Sequence, residues 1–120
     1  MKKNIEARIK IPLYSGDLII VQSDDIQKVL DKYGVKFDVH GYEAVTFRHD
    51  TRSGYTRYVI AFENPVNSRI VAHESLHVVT YLFEDRGMRI DNMNDEPAAY
   101  LLGWVVGQIH KRIKIDDSKL

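Results

Sequence analysis

The sequence predicts an α+β fold, a small and mostly antiparallel sheet of about four strands packed against three helices in the order ββαββαα. Three observations carry that expectation. Apolar side chains alternate with polar ones over residues 5–14, and β-branched or aromatic residues crowd 18–21, 43–49 and 55–63. A long apolar run over 67–86 has helical spacing, and a capped apolar stretch over 94–111 follows it. Gly and Pro punctuate the chain between these runs, at Ser15-Gly16, Gly34, Asn64-Pro65 and Gly87.

Taken in order, Ile5, Ala7, Ile9, Ile11 and Leu13 point one way while Glu6, Arg8, Lys10 and Pro12 point the other. That is a half-buried strand, and Pro12, which cannot donate to a ladder, places its distal end at a sheet edge. Ser15-Gly16 turns the chain into a second, more apolar strand over 18–21, so the two form a hairpin. Ser23 or Asp24 caps a helix to about Tyr33, with Ile26, Val29, Leu30 and Tyr33 buried and Gly34 as its stop. Strands over 43–49 and 55–63 flank the polar loop 50–54 as a second hairpin. On the latter strand Thr56, Tyr58, Ile60 and Phe62 share one face, and Tyr55, Arg57, Val59, Ala61 and Glu63 the other. Asn64-Pro65 ends it, Asn67 or Ser68 caps the central helix, and Gly87 closes that helix. Asn94 or Asp95 caps the last helix, with Pro97 in its first turn and an end near Lys111. Residues 113–120 read as a frayed tail, and with no repeat, low-complexity tract or linker the span 1–120 reads as a single domain.

Composition narrows the function. Of 120 residues 44% are apolar, enough for a buried core. Seventeen basic and seventeen acidic residues cancel, so no net field draws nucleic acid, a membrane surface or an acidic substrate. Arg48, Arg52, Arg57 and Arg69 are scattered without the interleaved aromatic residues of a nucleic-acid platform. No apolar stretch follows Lys2-Lys3 as a secretory signal requires, and no run approaches the roughly 18 residues of a membrane span. The sequence therefore predicts a cytoplasmic protein that binds neither nucleic acid nor membrane. With no cysteine there is no disulfide and no thiolate site, so a metal would be held by His, Asp or Glu.

Such residues are concentrated in His73-Glu74-Ser75-Leu76-His77. Four apart on a helix, His73 and His77 share a face where two imidazoles can hold one ion. Glu74, rotated by about 100°, would stand at the rim of the site, in reach of a metal-bound water without being a ligand. This is the His-Glu-x-x-His pattern of zinc hydrolases. The same stripe carries Thr80 and Glu84, opposite Val71, Ala72, Leu76, Val78, Val79, Leu82 and Phe83, and would face inward or into a cleft. A zinc site takes a third protein ligand. Eighteen residues, 78–95, separate His77 from Glu96 at the start of the last helix, with Glu84 as a rival ligand two turns beyond His77. On that last helix Glu96, Tyr100, Gly103, Gly107 and His110 share one face, and the two glycines would allow close approach to the central helix.

Here the sequence resembles the gluzincin class of zinc metallopeptidases, whose His-Glu-x-x-His helix is followed after about eighteen or nineteen residues by a glutamate ligand on the next helix. His73, Glu74, His77 and Glu96 match that pattern, and the resemblance covers about a third of the chain. It implies a zincin-like fold, a mixed sheet against the active-site helix, and an edge strand that binds extended peptide, for which 55–63 is the candidate. The metzincin pattern is excluded, since it needs glycine where Thr80 stands and histidine where Phe83 stands. Gluzincin peptidases also carry a second domain that supplies an oxyanion-stabilising Tyr or His; 120 residues leave no room for it, and Tyr81, Tyr100 or His110 would serve instead. The stretches His73–His77 and 94–100 are also similar to short uncharacterised phage proteins.

The function expected from these residues is a zinc-dependent hydrolase acting on a peptide or protein. His73, His77 and Glu96 would bind Zn²⁺, Glu74 would be the general base, and Tyr100, one turn after Glu96, would orient that carboxylate or the substrate. Asn94 or Asp95 would support a ligand from behind. The alternative is an interaction module of the phage accessory type, in which zinc serves stability alone.

Overall fold

A computed structural model describes residues 4–118 and 120; the lysines at 2 and 3 and Lys119 of the tail lie outside the described residues. The elements are β1 (Ile5–Lys10), β2 (Asp17–Ser23), α1 (Ile26–Lys32), β3 (Ala44–Asp50), β4 (Thr56–Glu63), α2 (Ser68–Asp85) and α3 (Glu96–Arg112), in the expected ββαββαα order. They form an α+β fold around one mixed sheet of strand order β1-β2-β4-β3. Both hairpins pair antiparallel, while α1 and β3 carry the chain across so that β2 and β4 pair parallel.

That crossover puts β2 and β4 in the middle, and their sequences explain why. Both carry apolar residues on both faces, and both are buried over most of their length. Leu18, Ile20, Tyr58, Ile60 and Phe62 pack with α2 and α3, whereas Ile19, Val21, Val59 and Ala61 pack with α1 on the other face. The alternation expected along β4 is therefore realised. The expectation that 55–63 is an edge strand is overturned: β4 is paired on both sides, and the free edges belong to β1 and β3.

β1 stops at Lys10, short of residue 14. Pro12 has no N–H for the ladder, and the chain instead closes a loop through the Ile11 N–H bond to the Gly16 carbonyl. Leu13, expected on the buried face, stands 99% exposed with φ +67°. Gly16 has φ +124°, and a Cβ there would come within 3.1 Å of the Thr56 carbonyl, so that turn requires glycine.

Caps fix the helices. Asp25, not Ser23 or Asp24, caps α1 by accepting from the Gln27 and Lys28 N–H groups, and Asn67 caps α2 through Ile70 N–H. α3 follows Asp95 with Pro97 in its first turn. Its buried residues are Ala98, Leu101, Val105 and Ile109. A Cβ at Gly103 or Gly107 would meet nothing within 4 Å, so the glycine face does not bring this helix against α2. Ala98, Leu101, Val105 and Ile109 instead join the core that α2 shares, because they gain more by burial than glycine does.

The tail does not fray over 113–117. Ile113 is buried, Ile115 bridges Val66, Asp116 N–H donates to the Val66 carbonyl, and Asp117 accepts from Ser68. Gln22 exchanges two hydrogen bonds with the Lys114 backbone. Among the described residues no helix is long and apolar enough to cross a membrane.

Candidate metal centre

α2 brings His73 and His77 onto one face, as four-residue spacing requires. Their Nε2 atoms lie 3.3 Å apart. Two imidazole nitrogens each about 2.0–2.1 Å from one tetrahedral ion stand about 3.3–3.4 Å apart, so this separation suits a shared ion. His73, Glu74 and His77 offer donor atoms that all lie within 4.8 Å of one another.

The exposure of the trio reverses the expectation. His73, with 65% of its side chain exposed, and His77 stand in the open, while Glu74 is the buried member at 6%. Glu74 sits a third of a turn round toward the sheet, on the side where Ile70, Val71, Val78 and Val79 pack. A buried carboxylate needs a partner, and β3 provides it. Thr46 Oγ1 donates to Glu74 Oε1 at 2.6 Å, and Oε2 is left 3.8 Å from His73 Nε2. One carboxylate oxygen is thus fixed and the other is turned toward the histidines.

A second chain of contacts supports His77. The Tyr81 ring stacks on it with centroids 6.2 Å apart, and the Arg48 guanidinium lies 4.3 Å from the centre of the Tyr81 ring. Arg48 bonds Glu84 at 2.6 Å and Asp85 at 3.2 Å, and Asp85 also accepts from the Tyr58 hydroxyl at 2.6 Å. Burial, then the bond to Asp85, pushes the Tyr58 hydroxyl well above its ordinary pKa, so it remains a donor. Glu84 is therefore engaged by Arg48 and not by the histidines.

The trio borders a groove of about 510 Å³ that crosses the free edge of β3. Thr46 and α2 line one side, and Phe37, Tyr42 and Phe47 line the other. Of the residues singled out from sequence, His73, Glu74, His77 and Tyr81 meet here. Glu96 does not: exposed at the first position of α3, it lies outside the group of donors and does not line the groove. Tyr100, 76% exposed, lines a separate apolar hollow with Leu13, Tyr14, Pro97 and Trp104, and His110 is exposed near the end of α3. Asn94 and Asp95 are exposed, and Asp95 makes no side-chain cap bond.

Thr46 and the groove wall were not singled out from sequence, and Arg48 enters there only as one of the scattered arginines. The signal for Thr46 and Arg48 is the alternation of Ala44, Thr46 and Arg48, which puts two polar side chains on the sheet face that packs against α2.

No family model, curated protein or solved structure matches this chain.

Proposed function

We propose that this protein is a zinc-dependent hydrolase acting on peptide bonds. The observation that carries the reading is the 3.3 Å separation of the His73 and His77 Nε2 atoms, with one oxygen of the buried Glu74 carboxylate directed toward them. His73 and His77 would hold the ion. The third donor that the gluzincin resemblance implies would be the Glu96 carboxylate, although it stands exposed on α3 outside the group of donors, so the two histidines are the ligands the fold itself brings together. Bound Zn²⁺ would supply Lewis acidity, bringing the pKa of water toward about 7 and polarising the scissile carbonyl.

The residues of the chain account for the remaining steps. Glu74 Oε2, the oxygen not tied by Thr46, accepts a proton from the attacking water as the new C–O bond forms. The same oxygen returns that proton to the amine nitrogen as the C–N bond breaks. Tyr81, held by Arg48, keeps the His77 ring in place. β3 takes the role expected of β4: its free edge can pair with an extended substrate, laying a peptide along the groove beside the two histidines.

A second reading, an interaction module that binds zinc without turnover, is favoured by the placement of Glu96, which leaves the exposed His73 and His77 without the third protein ligand of a hydrolytic site. One experiment separates the two. Untagged protein should retain about one zinc per chain, measured by mass spectrometry of metal content. Glu74→Gln should keep that zinc and lose peptide hydrolysis. Hydrolysis unaffected by Glu74→Gln removes the general base, and folded protein with no affinity for zinc removes both readings.

A further inference from the structure

We infer that the groove selects its peptide by a large apolar side chain, with Phe37 and Tyr42 as the specificity-determining residues; this rests on the hydrolase reading above. A strand added to the free edge of β3 continues the sheet, so its successive side chains point to opposite faces. One set faces α2, where His73 and His77 stand. The neighbouring set faces the α1 side, where the groove is lined by Val35, Phe37, Tyr42, Val45 and Phe47. The residues flanking the one presented to the histidines therefore meet an apolar wall.

The wall is built and held in place. Phe37 and Tyr42 pack edge to face with centroids 5.5 Å apart, and each remains about half exposed, at 46% and 48%. Phe47 is backed in the same way by Tyr33 at 5.7 Å. Gln27 on α1 pins the segment that carries Phe37, donating to the Phe37 carbonyl and accepting from Val39 N–H, both at 3.0 Å. Val39 is buried beneath it. Half-exposed aromatic rings on a fixed backbone present apolar area with little ordering left for binding to impose.

The composition of the groove points the same way. Among the described residues no Lys, Arg or Asp lines it, and Glu74, tied to Thr46, is its one carboxylate. Asp38 and His40, from the same segment, line a different, polar hollow beside α1. A charged side chain entering the α1 side of the groove, away from Glu74, would be desolvated against Phe37 and Phe47 with no charged group among the lining residues there. An aromatic or long aliphatic one gains by burial.

The test uses full-length, zinc-loaded Glu74→Gln protein, so that peptides bind without being cut. The probes are otherwise identical peptides of about ten residues, a long strand's length, carrying Phe, Leu, Ala, Lys or Glu at each position in turn. Phe or Leu should tighten binding at least about tenfold over Lys or Glu at alternate positions. Phe37→Asp, at a half-exposed site, should abolish that preference or turn it toward Lys. Equal binding of apolar and charged probes, no binding of any probe, or a preference that survives Phe37→Asp combined with Tyr42→Ala overturns the inference. Apolar-selective binding by Glu74→Gln together with intact peptides after incubation with the unmodified zinc protein overturns the hydrolase reading and leaves the selectivity standing.

Discussion

α2 and α3 are of nearly equal length, 18 and 17 residues, and both bury an apolar stripe against the same core, yet they treat polar side chains in opposite ways. α2 buries Glu74 and Ser75. Ser75 bonds back to the Val71 carbonyl, and Glu74 is met by Thr46 from β3. α3 buries only Ala98, Leu101, Val105 and Ile109, and turns Glu96, Tyr100 and Gly103 outward. The difference lies in the neighbours. β3 runs beside α2 and offers the Thr46 hydroxyl to the buried Glu74, so the cost of burying that carboxylate is partly offset, while Arg48 from the same strand pairs with the exposed Glu84 and Asp85. Among the described residues, no such strand supplies donors to the first turn of α3.

The largest expected effect tests whether both helices hold metal. His77→Ala should weaken Zn²⁺ binding by more than about 100-fold, beyond the 10–100-fold that an outer partner costs. Glu96→Ala should weaken it less, because that carboxylate stands exposed outside the group of donors. Competition with a chromogenic chelator measures both. Equal losses would give α3 the same share in holding the ion as α2 and erase the contrast between them.

The next largest effect concerns what fixes Glu74. Thr46→Val keeps the shape and deletes the donor, leaving a carboxylate at 6% exposure unsatisfied. Denaturant unfolding should register a loss of about 1–3 kcal/mol, while Thr46→Ser keeps most of the stability because it keeps the hydroxyl. A valine variant as stable as the parent protein would show that the hydrogen bond contributes nothing, and a serine variant less stable than valine would assign the contact to the methyl group instead.

How much of this was legible in the sequence follows from the same contrast. Period-two and helical patterns report which residues are apolar on which face, so the seven elements and the two faces of β4 could be read directly. Pairing order is different: Val59 and Ala61 opposite Tyr58, Ile60 and Phe62 mark 55–63 as apolar on both faces, but nothing local to it names β2 as its parallel neighbour. The motif was legible because His73, Glu74 and His77 are neighbours on one helix. Its support was not, since Thr46 lies 28 positions away and only the fold brings its hydroxyl to Glu74. On α3 the glycines at 103 and 107 suggested close packing, but the competing stripe of Ala98, Leu101, Val105 and Ile109 offers far more apolar area and sets the helix's rotation.

The smallest expected effect is at the start of α2 and again separates the two helices, because the chain leaving α3 returns to cap the other one. Asp117 accepts from both the N–H and the hydroxyl of Ser68, the first residue of α2, whose own first turn has no acidic residue. The side-chain bond from Ser68, then its backbone N–H, lowers the Asp117 pKa below the ordinary 3.8. The folded state therefore binds this proton less readily than the unfolded chain does. The contribution is present above pH 3.8 and is lost as the pH falls through the lower, folded value. A pH titration followed by NMR should show the Ser68 amide resonance shifting with a midpoint below 3.8. Asp117→Ala should remove that step and leave the Thr46–Glu74 contact unchanged. A Ser68 step that persists in Asp117→Ala would assign the titration to another group and detach the tail from α2.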